Sequence, residues 1–169
     1  MKKILVVLSI TAVVLSGCNE VSNEKANNEV QKKETVAKVE KKTVDIVKLG
    51  DNERAITKYA NGQPRLVLRF EGEGDKEISV YQKEYFENGQ VSKEGPMKDG
   101  KRNGDWKSYF KTGELWSKGS YLNGRNNGPT TAYYKSGKVK YEGMYKNGRK
   151  SGVWKFFNEQ GELTETKNY

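Results

Sequence analysis

The chain has 169 residues, of which 34% are hydrophobic and 31% charged, which leaves too little apolar material for a large buried core. It holds no histidine and a single cysteine, which removes Ser-His-Asp and Cys-His catalysis and the usual zinc and copper sites. A net charge of +9 points toward anionic partners.

Taken in chain order, Lys2-Lys3 form a positive start and Ile4 to Leu15 a mostly apolar stretch. This is too short to cross a bilayer and reads as a signal peptide. It ends in Leu15-Ser16-Gly17-Cys18, which resembles the lipobox of bacterial lipoproteins. The resemblance implies that Cys18 is acylated by palmitate-like chains and becomes the new N-terminus, with residues 1–18 as the signal segment. The competing reading is an ordinary secretory peptide with an incidental cysteine. A lone free thiol is reactive in an oxidising compartment and a lipidated one is not, which favours the anchor. Asn19 stands where Asp commonly signals inner-membrane retention. The expected location is therefore a membrane-anchored position outside the cytoplasm, at the outer membrane or the cell surface.

Residues 19–42 are rich in Asn, Glu and Lys, contain no aromatic residue and nearly cancel in charge. Such a segment buries too little apolar surface to offset its ordering entropy, so it is expected to be a flexible tether. As a coil it would reach about 25–30 Å. Glu29/Lys33 and Glu34/Lys38 could support a transient helix.

A 24-residue repeat follows. Gly89, Gly113, Gly137 and Gly161 keep that interval, as do Gly100, Gly124 and Gly148, and Gly104, Gly128 and Gly152. Apolar positions keep the same step: Tyr85, Tyr109, Tyr133 and Phe157; Val91, Leu115, Val139 and Leu163; Tyr121, Tyr145 and Tyr169. Tyr59 to Gln63 echoes the start of this pattern, so residues 43–80 are expected to hold a divergent first repeat, with 81–169 the regular ones. Asn88-Gly89, Thr112-Gly113, Ser136-Gly137 and Gln160-Gly161 suit two-residue hairpin turns, and the stretch from Lys98 to Gly104 with its copies suits a longer return loop. A two-residue turn at Thr112-Gly113 pairs Phe110 with Leu115, Ser108 with Ser117 and Trp106 with Gly119, all on one face. Tyr134 and Val139, and Thr130 and Gly143, pair likewise. The predicted repeat core is Trp106, Phe110, Leu115, Tyr121, Tyr134, Val139, Tyr145 and Trp154, with the Trp106 ring lying across Gly119. Thr130 stands where Trp106 and Trp154 carry a ring.

Segments such as Tyr85 to Gly95 and Tyr145 to Lys155 resemble the variant MORN repeats of bacterial proteins of the YwqK-type antitoxin family. The resemblance covers 81–169 well and 52–80 weakly. It implies an all-β fold, an elongated single-layer antiparallel sheet of successive hairpins.

The sequence contains no phosphate-cradling loop before a helix, and Asp99 lacks the companion acids of a calcium loop. Glu87, Glu114, Glu159 and Glu162 flank turns and read as solvated. The expectation is a protein that is not an enzyme, without cofactor or metal. What remains is a surface. Alternation places Tyr85, Tyr109, Tyr133 and Phe157 opposite Trp106, beside Lys83, Lys107 and Lys155, with Trp116 next to Tyr109. One reading is that a thin sheet needs rings on both faces and lysines for solubility. The other is a basic-aromatic stripe for an extended anionic ligand. Residues 81–169 hold 17 Lys and Arg against 10 Asp and Glu, whereas 19–80 are neutral, which supports the stripe. Anionic envelope polymers, lipid headgroups or a protein are the expected partners, and export argues against nucleic acid. The strand ending at Tyr169 is an expected edge for homodimer formation. The function that follows is a binding or scaffolding lipoprotein of the cell envelope; the alternative is an antitoxin or immunity role against a toxin outside the cytoplasm.

Overall fold

The structure is a computed structural model and describes residues 45–169. The predicted signal peptide, Cys18 and the tether lie outside the described residues. The described chain forms β1 (Glu53–Lys58), β2 (Pro64–Glu71), β3 (Ile78–Tyr85), β4 (Val91–Lys98), β5 (Lys101–Arg102), β6 (Gly104–Tyr109), β7 (Leu115–Leu122), β8 (Arg125–Tyr133), β9 (Val139–Lys146), β10 (Arg149–Phe157) and β11 (Leu163–Asn168). Ten of these lie in chain order in one antiparallel sheet, and the short β5 pairs with the end of β4. The predicted all-β single layer of successive hairpins is what forms.

The two kinds of turn are exchanged relative to expectation. At the predicted return loops, Asp99-Gly100, Asn123-Gly124 and Asn147-Gly148 have positive φ at both residues, between 50° and 84°. That is the signature of a type I′ turn, for which Asn-Gly and Asp-Gly are the preferred pairs. The strands run directly into them, pairing Leu122 with Arg125 and Lys146 with Arg149. At Thr112-Gly113 only the glycine has positive φ. There the Gly113 amide donates to the Phe110 carbonyl and the Phe110 amide to the Glu114 carbonyl, which makes a three-residue loop with a glycine bulge. The same bonds recur at Tyr59, Phe86, Tyr134 and Asn158.

These wider corners alter the register. Tyr109, not Phe110, pairs with Leu115, and Tyr133, not Tyr134, pairs with Val139. Trp116 is then an extra residue, because the next pair is Ser108 with Ser117. Arg65, Ser92, Lys140 and Thr164 are extra at the same repeat position. The predicted pairs Trp106–Gly119 and Thr130–Gly143 form as expected.

Neighbouring repeats are stitched by recurring polar contacts. The Tyr59 hydroxyl donates to the Tyr85 carbonyl (2.8 Å), as the Tyr134 hydroxyl does to the Phe157 carbonyl (2.7 Å). The Gly124 amide donates to the Arg102 carbonyl and the Gly148 amide to that of Asn126. Between β1 and β2, the wholly buried Gln63 reaches the segment ahead of β1, accepting from the Val47 amide (3.1 Å) and donating to the Asp45 carbonyl (2.7 Å).

A single layer has no second layer to close over it, so the core is thin. Val67, Tyr85, Trp106, Ala132 and Trp154 are its buried hydrophobic residues. Of the eight predicted core residues only Trp106 and Trp154 are buried; Phe110, Leu115, Tyr121, Tyr134, Val139 and Tyr145 stay half-exposed.

Candidate binding surfaces

The register divides the sheet into two faces. On one face, a row perpendicular to the strands reads Gly95, Trp106, Gly119, Thr130, Gly143, Trp154. The prediction that Trp106 covers Gly119 is corrected: its ring lies over Gly95, on the strand before it, as that of Trp154 lies over Gly143. In each case the indole N–H donates one residue past the glycine, to the Pro96 carbonyl (2.9 Å) or that of Met144 (3.2 Å). These bonds aim each ring at the strand before it. A basic side chain lies over each ring: the Arg102 guanidinium is 4.4 Å from Trp106 and the Lys150 ammonium 4.4 Å from Trp154. Tyr121 meets Trp106 edge-on at 6.1 Å, and Tyr145 meets Trp154 at 5.1 Å. Tyr169 also packs edge-on against Trp154 at 5.9 Å, so the last residue is part of this cover. β11 itself is exposed along all six residues.

The opposite face carries Tyr85, Tyr109, Tyr133 and Phe157, where the sequence pattern placed them. They pair with Val91, Leu115, Val139 and Leu163, so Leu115 and Val139 belong to this face and not to that of Trp106. Trp116 leaves it: as the bulge residue it turns to the other side, its ring 6.4 Å from that of Phe110. The bulge changes the parity of alternation, which sequence spacing alone does not reveal. Arg65 over Tyr59 and Lys140 over Tyr134 repeat this contact between bulge residue and corner ring.

Toward the first strands this face is internally satisfied. Tyr85 is buried, so it is a core residue and not a contact residue. Lys83 forms an ion pair with Glu53 at 2.7 Å. Burial alone would push the Glu53 carboxyl up, but hydrogen bonds from Lys83 and the Gly50 amide bring it below its ordinary value. The hydrogen bond to Glu53 raises Lys83. Burial, and then the hydrogen bond given to Glu94 (2.7 Å), raises the Tyr109 phenol.

Toward the middle, that balance is partial: Lys107 has Glu94 opposite it on β4, but Lys118 has no acid on either neighbouring strand. Lys107 and Lys118 are exposed and stand directly opposite each other on β6 and β7. Like charges in that position destabilise a sheet. Thr131 is next in the row, then Glu142, then Lys155, whose ammonium is 3.6 Å from Glu142. Two shallow depressions flank this row. One, of about 330 Å³, lies between Asp105, Lys107, Lys118 and Pro129. The other, of about 360 Å³, is bordered by Pro129, Met144, Val153 and Lys155. Met144 and Val153 are exposed, and neither they nor Lys118 stands out in sequence; the two-residue register shifts at Gly128 and Gly152 bring them together.

A family model described as a MORN repeat variant matches residues 81–99, 102–123 and 126–147. Each matched segment runs through one glycine-bulge hairpin, and β10–β11 repeats the same hairpin geometry beyond them. No curated protein matches the chain. Among solved structures, a mutant of S. aureus TarM in complex with Fondaparinux, alpha-GlcNAc-glycerol and UDP is similar at 11% identity and a TM-score of 0.30, over 88% of this chain and 22% of that one. The GtfA/B complex bound to UDP and GlcNAc is similar at 13% identity and a TM-score of 0.27, over 72% of this chain and 25% of that one. The chain thus spans about a quarter or less of these proteins, and at such scores the likeness carries no functional meaning. Across residues 81–99, 102–123 and 126–147, the sheet that presents both faces is similar to MORN repeat variants.

Proposed function

We propose that this protein is a non-catalytic binding module of the cell envelope, held to a membrane through Cys18, that docks anionic polymer on the middle of its tyrosine face. MORN repeats are binding and scaffolding modules in general, and the open sheet offers surfaces and not a deep cleft. One observation carries the reading. Lys107 and Lys118 face each other across adjacent strands, an arrangement that costs stability in the free protein and that a bound anion relieves. Lys155 stands further along the row, paired with Glu142, and the apolar edge formed by Pro129, Met144 and Val153 gives a partner something to pack against. The contact surface is therefore narrower than the predicted stripe: Lys107, Tyr109, Tyr133, Lys155 and Phe157 remain in it, Lys118 joins, and Tyr85, Lys83 and Trp116 leave.

The test is photocrosslinking in intact cells from positions 131 and 153, which border the same face. Wild-type protein should capture envelope polymer, and a Lys107→Ser/Lys118→Ser double variant should lose most of it. Equal capture by the two would refute the reading of this face. Metabolic labelling with a palmitate analogue should mark the wild type and spare Cys18→Ser; labelling of both would refute the anchor.

A further inference from the structure

We propose that the hollow over Gly119, on the tryptophan face, binds one sugar ring bearing a carboxylate, as an acidic polysaccharide presents it. This goes beyond the docking assigned to the opposite face and does not depend on it.

The hollow arises from one missing ring. Each strand glycine in the row needs a cover. A Cβ at Gly95 would overlap the Trp106 ring, and one at Gly143 the Trp154 ring, so both glycines are covered. Gly119 is not. Trp106 leans away from it over Gly95, and its other neighbour is Thr130, whose hydroxyl is turned onto the Lys118 carbonyl at 3.2 Å. What remains is a space of about 230 Å³. Pockets for drug-sized ligands run from roughly 300 to 1,000 Å³, so this one suits a single ring-sized group.

The lining sets the chemistry. Trp116 is 45% exposed and offers a flat apolar surface to the C–H face of a ring. Ser108, Ser117 and Asn126 supply hydroxyl and amide groups that both donate and accept, as a polyhydroxylated ligand requires. Arg102 and Lys93 supply positive charge; Lys118, also in the lining, belongs by alternation to the opposite face and presents here the carbonyl that Thr130 holds. The Arg102 guanidinium is held over Trp106 and lies 3.1 Å from the Glu84 carboxylate, so it is fixed in place and half neutralised. Lys93 takes part in none of the ion pairs found among the described residues. The balance is close to one net positive charge, which matches a single carboxylate better than a chain of phosphates.

Full-length chain in detergent is titrated with trigalacturonate, with neutral maltotriose and with a thymidine oligonucleotide, followed by indole fluorescence and calorimetry. Trigalacturonate should bind at least about tenfold more tightly than the other two. Thr130→Trp rebuilds the ring that Trp154 supplies two strands away, fills the hollow and leaves both cations untouched. It should melt no lower than wild type and lose trigalacturonate binding by about tenfold or more. Trp116→Ser, which copies Ser92 at the same repeat position, should weaken binding similarly. Lys107→Ser/Lys155→Ser, at two positions outside the lining of the hollow, should leave it unchanged, which separates failure of this site from failure of the other face. Wild-type affinity in the Thr130→Trp variant, equal binding of maltotriose or the oligonucleotide, loss in the double-lysine variant, or no trigalacturonate binding would each overturn the proposal.

Discussion

The repeats that carry Trp106 and Trp154 and the repeat between them share a backbone and differ in what they leave unfinished. In the outer two, a ring covers the strand glycine before it, a cation covers the ring, and a tyrosine closes the side. In the middle one, Thr130 replaces the ring and Asn126 stands at the position of the cation. The other face shows the same contrast. Lys83 has Glu53, whereas Lys118 lies between Lys107 and Thr131 with no acid opposite it. Stability resides in the outer repeats and binding capacity in the middle, because a repeat array can leave one unit incomplete while its neighbours hold it in register.

The widest separation should come from the rings. Trp154→Ala should cost about 3–5 kcal/mol in denaturant unfolding, since it removes a buried ring in contact with Tyr145, Tyr141 and Tyr169, whereas Thr130→Ala should stay within about 0.5 kcal/mol. Equal losses would mean that the middle repeat is packed as tightly as the last. Alanine at the glycines gives the next contrast. Gly143→Ala drives a methyl into the Trp154 ring and should cost about 1–3 kcal/mol. At Gly119 the nearest atom to a Cβ would be the Thr130 hydroxyl at 3.2 Å, with Thr130 Cβ and the Pro129 carbonyl at ordinary contact distance and no ring in the way, so Gly119→Ala should cost clearly less in the same melts.

The charge contrast is smaller and depends on pH. The Glu53 carboxyl lies below its ordinary value, so its contribution is full above the usual carboxylate range and is lost as pH falls through the lowered value. Lys83 is raised, so its contribution is full below the usual lysine value and is lost as pH rises through the raised one. Glu53→Gln should cost about 1 kcal/mol at neutral pH and flatten the acid limb of the stability profile. Lys118→Thr should do the reverse, raising stability by a few tenths of a kcal/mol at low salt and by less at high salt. A loss of stability there would show that the lysine pair is not repulsive.

The 24-residue step made the sheet legible, and alternation placed Trp106 opposite Gly119 and set Tyr85, Tyr109, Tyr133 and Phe157 on the other face. The register errors have one origin. The corner at Thr112-Gly113 holds three residues and not two, because only its glycine takes positive φ, whereas Asp99-Gly100 and its copies meet the stricter demand of a two-residue turn. That exchange moved Leu115 and Val139 to the tyrosine face and carried Trp116 off it. Lean is also invisible to spacing: a ring paired with Gly119 can lie over Gly95, and the indole hydrogen bond decides which. Lys118 was missed because no repeat pattern marks it; its meaning depends on what stands opposite.

Gln63 carries a mechanical consequence. By gripping the main chain at both Asp45 and Val47, its amide makes the body begin eight residues ahead of the first strand. Load arriving from the N-terminal side then bears on a buried clamp at a sheet corner, so β1 is spared from being unzipped bond by bond. An amide suits the task because its Nε2 gives a proton to Asp45 while its Oε1 receives one from Val47.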